Sequence, residues 1–90
     1  MKIPSRVRVG GHTIKVFITK KMPTDDPECY GLFNAEKNTI YINADLSQSY
    51  RESTFMHEIM HAMNSTINHE FLDSLSEQFY QVLSQNNLLK

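Results

Sequence analysis

The chain has 90 residues and a formal net charge of −1, with nine Lys and Arg against ten Asp and Glu. This length fits a single domain, predicted to span residues 1–90. So short a chain buries too little apolar surface to be stable unless it packs tightly, oligomerises or binds a metal. The balanced charge offers no basic surface to a phosphate backbone, so nucleic acid is excluded as the expected partner.

Alternating apolar residues near the start of the chain predict a β-hairpin. The segments RVRV (residues 6–9) and HTIKVFI (residues 12–18) both alternate with a period of two. Gly10 and Gly11 lie between them and supply the positive φ angles of a tight turn. The next segment, TKKMPTDDPE (residues 19–28), is predicted to be an exposed loop, because two prolines interrupt any strand ladder.

A second hairpin is predicted in the middle of the chain. The segments CYGLFN (residues 29–34) and TIYIN (residues 39–43) are rich in β-branched and aromatic residues, and AEKN connects them. Gly31 is a candidate β-bulge within the first of these strands. The two hairpins together predict four short strands in one antiparallel sheet.

The hydrophobic period then changes to that of a helix. Ser49 followed by Glu52 fits a capping box, and the helix is predicted to run to about Met63, where Asn64 can adopt the left-handed conformation that ends a helix. Apolar residues cover much of its circumference, so the helix is expected to be largely buried.

A second helix follows almost at once. Asn68 is its predicted N-cap, and Ile67 is placed to pack against Leu72. Its apolar residues form one stripe, which is expected to face the core: Leu72, Leu75, Phe79, Val82 and Leu83. The predicted fold class is therefore α+β, a small antiparallel four-stranded sheet followed by two packed helices.

The first helix carries the residues with the most specific chemistry, in the segment FMHEIMHAMN (residues 55–64). Residues four apart on a helix lie about 6 Å from each other on one face, so His57 and His61 can both bind one Zn²⁺. Glu58 lies about 100° around the helix from His57 and can take a proton from a water on the ion without binding the ion itself. The segment matches the metallopeptidase pattern H-E-x-x-H.

The alternative is that His57, Glu58 and His61 occupy the solvent face of an ordinary helix. The apolar residues of this helix leave little of its surface for water, and a buried imidazole or carboxylate without a partner costs several kcal/mol. A bound ion satisfies these groups, which favours the zinc site.

A catalytic zinc needs a third protein ligand and keeps a fourth position for water. If the apolar stripe of the second helix marks the core, His69 is rotated about 80° from its centre and Asp73 about 120°. Glu70 and Glu77 then face away. His69 therefore ranks first as third ligand, Asp73 next and Glu70 behind it, and the alternative for His69 is a surface position at a helix start.

The remaining sequence features bear on the cellular compartment. The single cysteine, Cys29, cannot form an intramolecular disulfide, and the first residues lack the apolar region of a secretory signal. No apolar run approaches the roughly 20 residues that cross a bilayer. We therefore expect a cytoplasmic protein that is not in a membrane. Two further residues are expected to have no role in a site: His12 as an exposed turn residue and Cys29 as a packing residue.

Three segments carry a resemblance to a known family: YGLFNAEKNTIYIN (residues 30–43), HEIMHAMN (residues 57–64) and EQFYQVL (residues 77–83). With the glycine hairpin and the Ser-rich helix start, they resemble the minimal zincin-like metallopeptidase domains encoded by phages and prophages, which are similar to the ImmA/IrrE and SprT-like groups. A phage-encoded protein would act in the cytoplasm of its bacterial host.

This resemblance implies specific roles. His57 and His61 correspond to zinc ligands and Glu58 to the catalytic base, while the third ligand of such domains comes from the following helix and is commonly a glutamate. Here His69 occupies the position that looks equivalent, so the implied site has three histidines unless Glu70 or Asp73 turns inward. The resemblance also implies that the strand at residues 39–43 or the one at residues 30–33 borders the active-site cleft.

The predicted function is a zinc-dependent metallopeptidase that hydrolyses a peptide bond of a peptide or protein substrate through a zinc-activated water. The alternative is a non-catalytic, zinc-stabilised interaction module of phage origin, whose closed site would have four protein ligands. A metal-free interaction domain is the third hypothesis. So small a domain gives a shallow cleft, and a partner protein or homo-oligomer would supply further surface.

Overall fold

Four strands and two helices follow one another along the chain in the computed structural model, which describes residues 1–64 and 66–89. This order confirms the predicted α+β fold class. The bounds of the elements are β1 Arg6–Val9, β2 His12–Thr19, β3 Gly31–Asn34, β4 Thr39–Asn43, α1 Gln48–Met63 and α2 His69–Gln85.

The sheet has the strand order β1-β2-β4-β3. Both predicted hairpins form, since β1 pairs with β2 and β3 pairs with β4 in antiparallel fashion. The expectation of a wholly antiparallel sheet is wrong at the centre, where β2 and β4 are parallel, with Lys15 opposite Thr39 and Thr19 opposite Asn43. The loop of residues 20–30 carries the chain from β2 to β3 at the edge of the sheet. The position between β2 and β3 is occupied by β4, the most apolar strand.

One face of the sheet is covered by α1, which contacts β1, β3 and β4. Five buried apolar residues form the core cluster on this face: Ile14, Val16, Ile40, Ile42 and Phe55. On the opposite face Phe17 stacks on Tyr41 with ring centroids 5.9 Å apart, and Phe17 is about half exposed. The sheet therefore has one packed face, and β3 forms a free edge beside α1.

The helix ends follow the predictions in part. The N-cap of α1 is Ser47, whose Oγ accepts from the backbone N–H of Tyr50, so the expected cap at Ser49 is wrong. The carboxylate of Glu52 accepts from Gln48 and from the Tyr80 hydroxyl instead of closing a capping box. Asn64 is extended, with φ −155°, and not left-handed.

The predicted cap of α2 is confirmed, because the Asn68 side chain accepts from the backbone N–H of Phe71 at 3.0 Å. The predicted orientation of α2 is wrong. Leu72 is fully buried, but Leu75, Phe79 and Val82 are each about half exposed. Within residues 1–64 and 66–89, α2 packs against α1 and against no strand, so the core reaches only one side of the helix. In the same ranges no helix is long and apolar enough to cross a membrane.

Candidate metal centre

Three histidines from the two helices meet at one end of the α1–α2 pair. One ring nitrogen each of His57, His61 and His69 lies within 4.8 Å of the other two. The ring centroids are 4.7 Å apart for His57 and His61, 5.2 Å for His57 and His69, and 5.1 Å for His61 and His69. A zinc ion takes imidazole nitrogens at about 2.0–2.1 Å, so small side-chain rotations would bring all three onto one ion.

The local sequence explains why the three rings converge. His57 and His61 are one turn apart on α1, and the short connection after Met63 returns the chain at once. Asn68 caps α2, which makes His69 its first residue and places it opposite the two α1 histidines. The His57 side chain is 15% exposed and that of His69 is 67% exposed, so the site opens to solvent on the α2 side.

Asp73 lies one turn after His69 and faces the same cluster. Its Oδ1 is 3.1 Å from Nδ1 of His57 and 3.7 Å from Nε2 of His69. The Ser76 hydroxyl is also near, 3.4 Å from Nδ1 of His57. A carboxylate on one ring nitrogen fixes the tautomer that leaves the other nitrogen to a metal. Ser76 is a site residue for which the sequence offers no signal beyond its position one turn after Leu72.

Burial is the main influence on the pKa values of His57 and His61. Burial lowers the pKa of His57, and the neighbouring His61 and His69 lower it further, while Asp73 raises it. Burial and the charge of His69 also lower the pKa of His61. Neutral imidazoles are the form that binds a metal. The chemistry of the donor set, three imidazoles facing one point, therefore fits zinc.

Glu58 is 5% exposed and lies beside the histidines. Its Oε2 is 3.9 Å from Nε2 of His57, too far for a hydrogen bond. Burial raises the pKa of Glu58 to about 7, with a further contribution from the charge of Asp73. A buried carboxyl with a pKa near neutrality is the property expected of a general base.

Gly31, the first residue of β3, brings the edge of the sheet against Glu58. A Cβ atom at this position would lie 3.2 Å from Cγ of Glu58 and would clash with the Thr54 methyl group. The role of this glycine is thus close approach of the strand to α1, and its φ is not positive. Strand β3 is thereby held alongside the candidate base.

Apart from His61, these groups line an open cleft of about 520 Å³. Tyr30 and Tyr50 form one wall, edge to face with ring centroids 6.1 Å apart. Four of the lining residues carry carboxylates: Glu28, Glu58, Asp73 and Glu77. The lining described by the structure includes no Lys or Arg. The cleft is thus acidic and partly aromatic.

The other candidate residues lie elsewhere or play smaller parts. Glu70 is exposed and does not line the cleft, whereas Glu77 does. His12 is exposed at the start of β2, apart from the three-histidine group. Cys29 lines the cleft, and its thiol donates to the carbonyl of Gly31 at 3.2 Å. Burial raises the pKa of Cys29, which favours the inert thiol form.

Comparison with known protein families gives a match over most of the chain. The family model Peptidase_M78, described as an IrrE N-terminal-like domain, matches residues 9–85, from the end of β1 to the end of α2. No curated protein and no solved structure shows a significant match to this chain. The matched span includes every residue of the three-histidine cluster.

Proposed function

Since the chain belongs to the Peptidase_M78 family of IrrE N-terminal-like domains, we propose that it is a zinc-dependent metallopeptidase. His57, His61 and His69 bind the ion, and Glu58 is the general base. The observation that carries this proposal is the convergence of three imidazoles within 4.8 Å beside one buried carboxylate. Both helices and β3 contribute to the site, so residues 1–90 act as a single domain.

The role of each group in the candidate site follows from its chemistry. Zn²⁺ held by the three histidines would supply a Lewis acid for the scissile carbonyl and for the attacking water. Glu58, with its pKa near 7, would accept a proton from the attacking water and return it to the leaving amine. Asp73 holds Nδ1 of His57 and so orients the ring without entering the reaction.

The substrate is a peptide or a protein segment in extended form. Strand β3 is an edge strand, and Gly31 keeps it close to Glu58, so a substrate strand that adds to this edge runs past the base. The acidic lining favours basic side chains next to the scissile bond, and Tyr30 and Tyr50 offer aromatic faces for cation–π contact.

A second candidate function is the non-catalytic, zinc-stabilised interaction module. The position of Asp73 favours it, because Oδ1 is 3.7 Å from Nε2 of His69 and a modest rotation would make the carboxylate a fourth ligand. Four protein ligands would close the site to water. The buried Glu58 argues for the peptidase, since a structural site gives a free carboxylate no role.

Metal analysis of the untagged protein is the first test. We expect one zinc per chain in the wild type and its loss in His61→Ala, with His12→Ala as the control because His12 lies outside the cluster. Glu58→Gln should keep zinc and lose hydrolysis of a peptide library. Equal zinc in wild type and His61→Ala would refute the metal site, and undiminished hydrolysis by Glu58→Gln would refute the mechanism. A zinc-loaded wild type that cleaves nothing would favour the interaction module.

A further inference from the structure

Helix α2 exposes a continuous apolar stripe on the side away from α1. Its members are Phe71, Leu75, Phe79 and Val82, which are 61%, 46%, 47% and 53% exposed. Their spacing of four, four and three residues places them in one line along the helix. We call these four residues the α2 stripe.

The α2 stripe is large enough for the apolar core of an interface. With roughly 150–200 Å² for each free side chain, the exposed fractions amount to about 310–410 Å² of apolar surface. Two such surfaces would bury about 620–830 Å² together, about half of the roughly 1,600 Å² of a standard interface. Polar residues at the borders of the stripe would supply the remainder as a rim.

The charges around the stripe limit what can cover it. The polar residues nearest to the stripe around the helix are uncharged: Gln78, Gln85 and Ser74. Glu70 and Glu77 lie more than about 120° from the centre of the stripe. Residues 69–85 contain no Lys or Arg, so the helix has no attraction for an anionic membrane surface. The stripe therefore presents no charge to a partner of either sign and fits a second neutral apolar surface.

We propose that the α2 stripe pairs with the same stripe of a second copy of this chain, with the two helices antiparallel. In that arrangement Phe71 packs against Val82 of the second copy, and Leu75 packs against Phe79 of the second copy. A large side chain then meets a smaller one at each contact, and both copies use the same surface, as a two-fold interface requires. The inference does not depend on the proposed peptidase activity.

The geometry leaves the candidate metal centre open in the pair. His69 and Asp73 lie roughly 125–165° around α2 from the centre of the stripe, on the side that faces α1. Each copy therefore keeps its own cleft, and zinc binding serves as an independent check that a variant is folded.

The test is the molar mass of the full chain by light scattering after gel filtration, from about 1 µM to about 1 mM. The wild type should approach twice its monomer mass of 10.5 kDa. Leu75→Glu with Phe79→Glu should remain monomeric throughout. The matched control, Thr13→Glu with Gln81→Glu, adds the same charge to exposed positions outside the stripe and its borders and should dimerise like the wild type.

Each other outcome overturns the proposal. A wild type that stays monomeric at about 1 mM, including one that binds anionic vesicles instead, rejects self-pairing. A dimer that survives in the Leu75→Glu, Phe79→Glu variant, or dissociates in the control, places the interface elsewhere. If the glutamate variant loses its helical circular dichroism, Leu75→Ser with Phe79→Ser takes its place with the same expected monomer.

Discussion

The Oδ1 atom of Asp73 on α2 lies 3.1 Å from the Nδ1 atom of His57 on α1. This contact joins the two helices at the point where the three histidines meet, and the hydroxyl of Ser76 lies beside it. Helix α2 thus contributes two residues to the candidate site: His69, and Asp73, whose carboxylate contacts His57.

The first prediction concerns that carboxylate. Asp73→Asn keeps the size of the side chain but removes its charge, so zinc affinity should fall by about 10- to 100-fold, the usual effect of losing a partner of a metal-bound histidine. Competition with a chromogenic chelator measures it. Glu70→Gln, an exposed acid on the same helix, should leave affinity unchanged. An unaltered affinity in Asp73→Asn would mean that the contact does not orient His57.

The second prediction concerns the stability of the metal-free protein. Because the pKa of Glu58 is raised from 4.5 to about 7 in the folded state, its favourable contribution is present below pH 4.5 and is lost as the pH rises through about 7. Glu58→Gln has no charge to bury, so at alkaline pH it should be more stable than wild type by roughly 3 kcal/mol. Urea unfolding in a chelator at about pH 5.5 and pH 8.5 measures the difference.

The control for this experiment is Glu36→Gln, which changes an exposed glutamate in the turn between β3 and β4. Its stability should follow that of the wild type at both pH values. If Glu58→Gln is no more stable than wild type at high pH, the carboxylate is not buried as the structure has it.

The third prediction is the pH dependence of zinc binding. The pKa values of His57 and His61 are lowered from 6.5, chiefly by burial, so both rings are mainly neutral at pH 6.5 and become protonated as the pH falls further. Protons then compete with the metal. The zinc dissociation constant should be steady between about pH 8 and 6.5 and should rise below that range. A constant value down to about pH 5 would indicate carboxylate ligands in place of imidazoles.

The fourth prediction tests the acidic cleft. Glu28→Gln with Glu77→Gln should reduce cleavage of peptides with Lys or Arg near the scissile bond by about two- to fivefold, while neutral peptides are cleaved as before. The matched control is Asp25→Asn with Glu70→Gln, exposed acids from the same loop and helix that do not line the cleft. A preference that is the same in both variants would place charge selection outside this cleft.

Local patterns account for what the sequence predicts correctly. Gly10 and Gly11, both with positive φ, set the first turn, and Asn68 caps α2 as its chemistry demands. Local patterns could not predict the parallel pairing of β2 with β4. A hydrophobic period of two identifies each strand but not the order of the strands in the sheet.

The case of His69 shows a second limit. The apolar stripe of α2 is predicted from the sequence to face the core, yet it faces outward, and His69 lies on the opposite side of the helix, toward α1. The structure does bring His69 to His57 and His61, but for a different reason, namely the short connection and the Asn68 cap. Hydrophobic periodicity identifies an apolar face without telling a core from an interface.

The long connection of residues 20–30 has a consequence for how this protein can diversify. It carries the chain from β2 past β4 to the far edge of the sheet. Its last residues, Glu28 to Tyr30, line one side of the cleft. His57, His61, His69 and Glu58 all belong to the helices. If the proposed function holds, substitutions or insertions in this connection can therefore change which polypeptides are accepted while the candidate metal ligands and base keep their places.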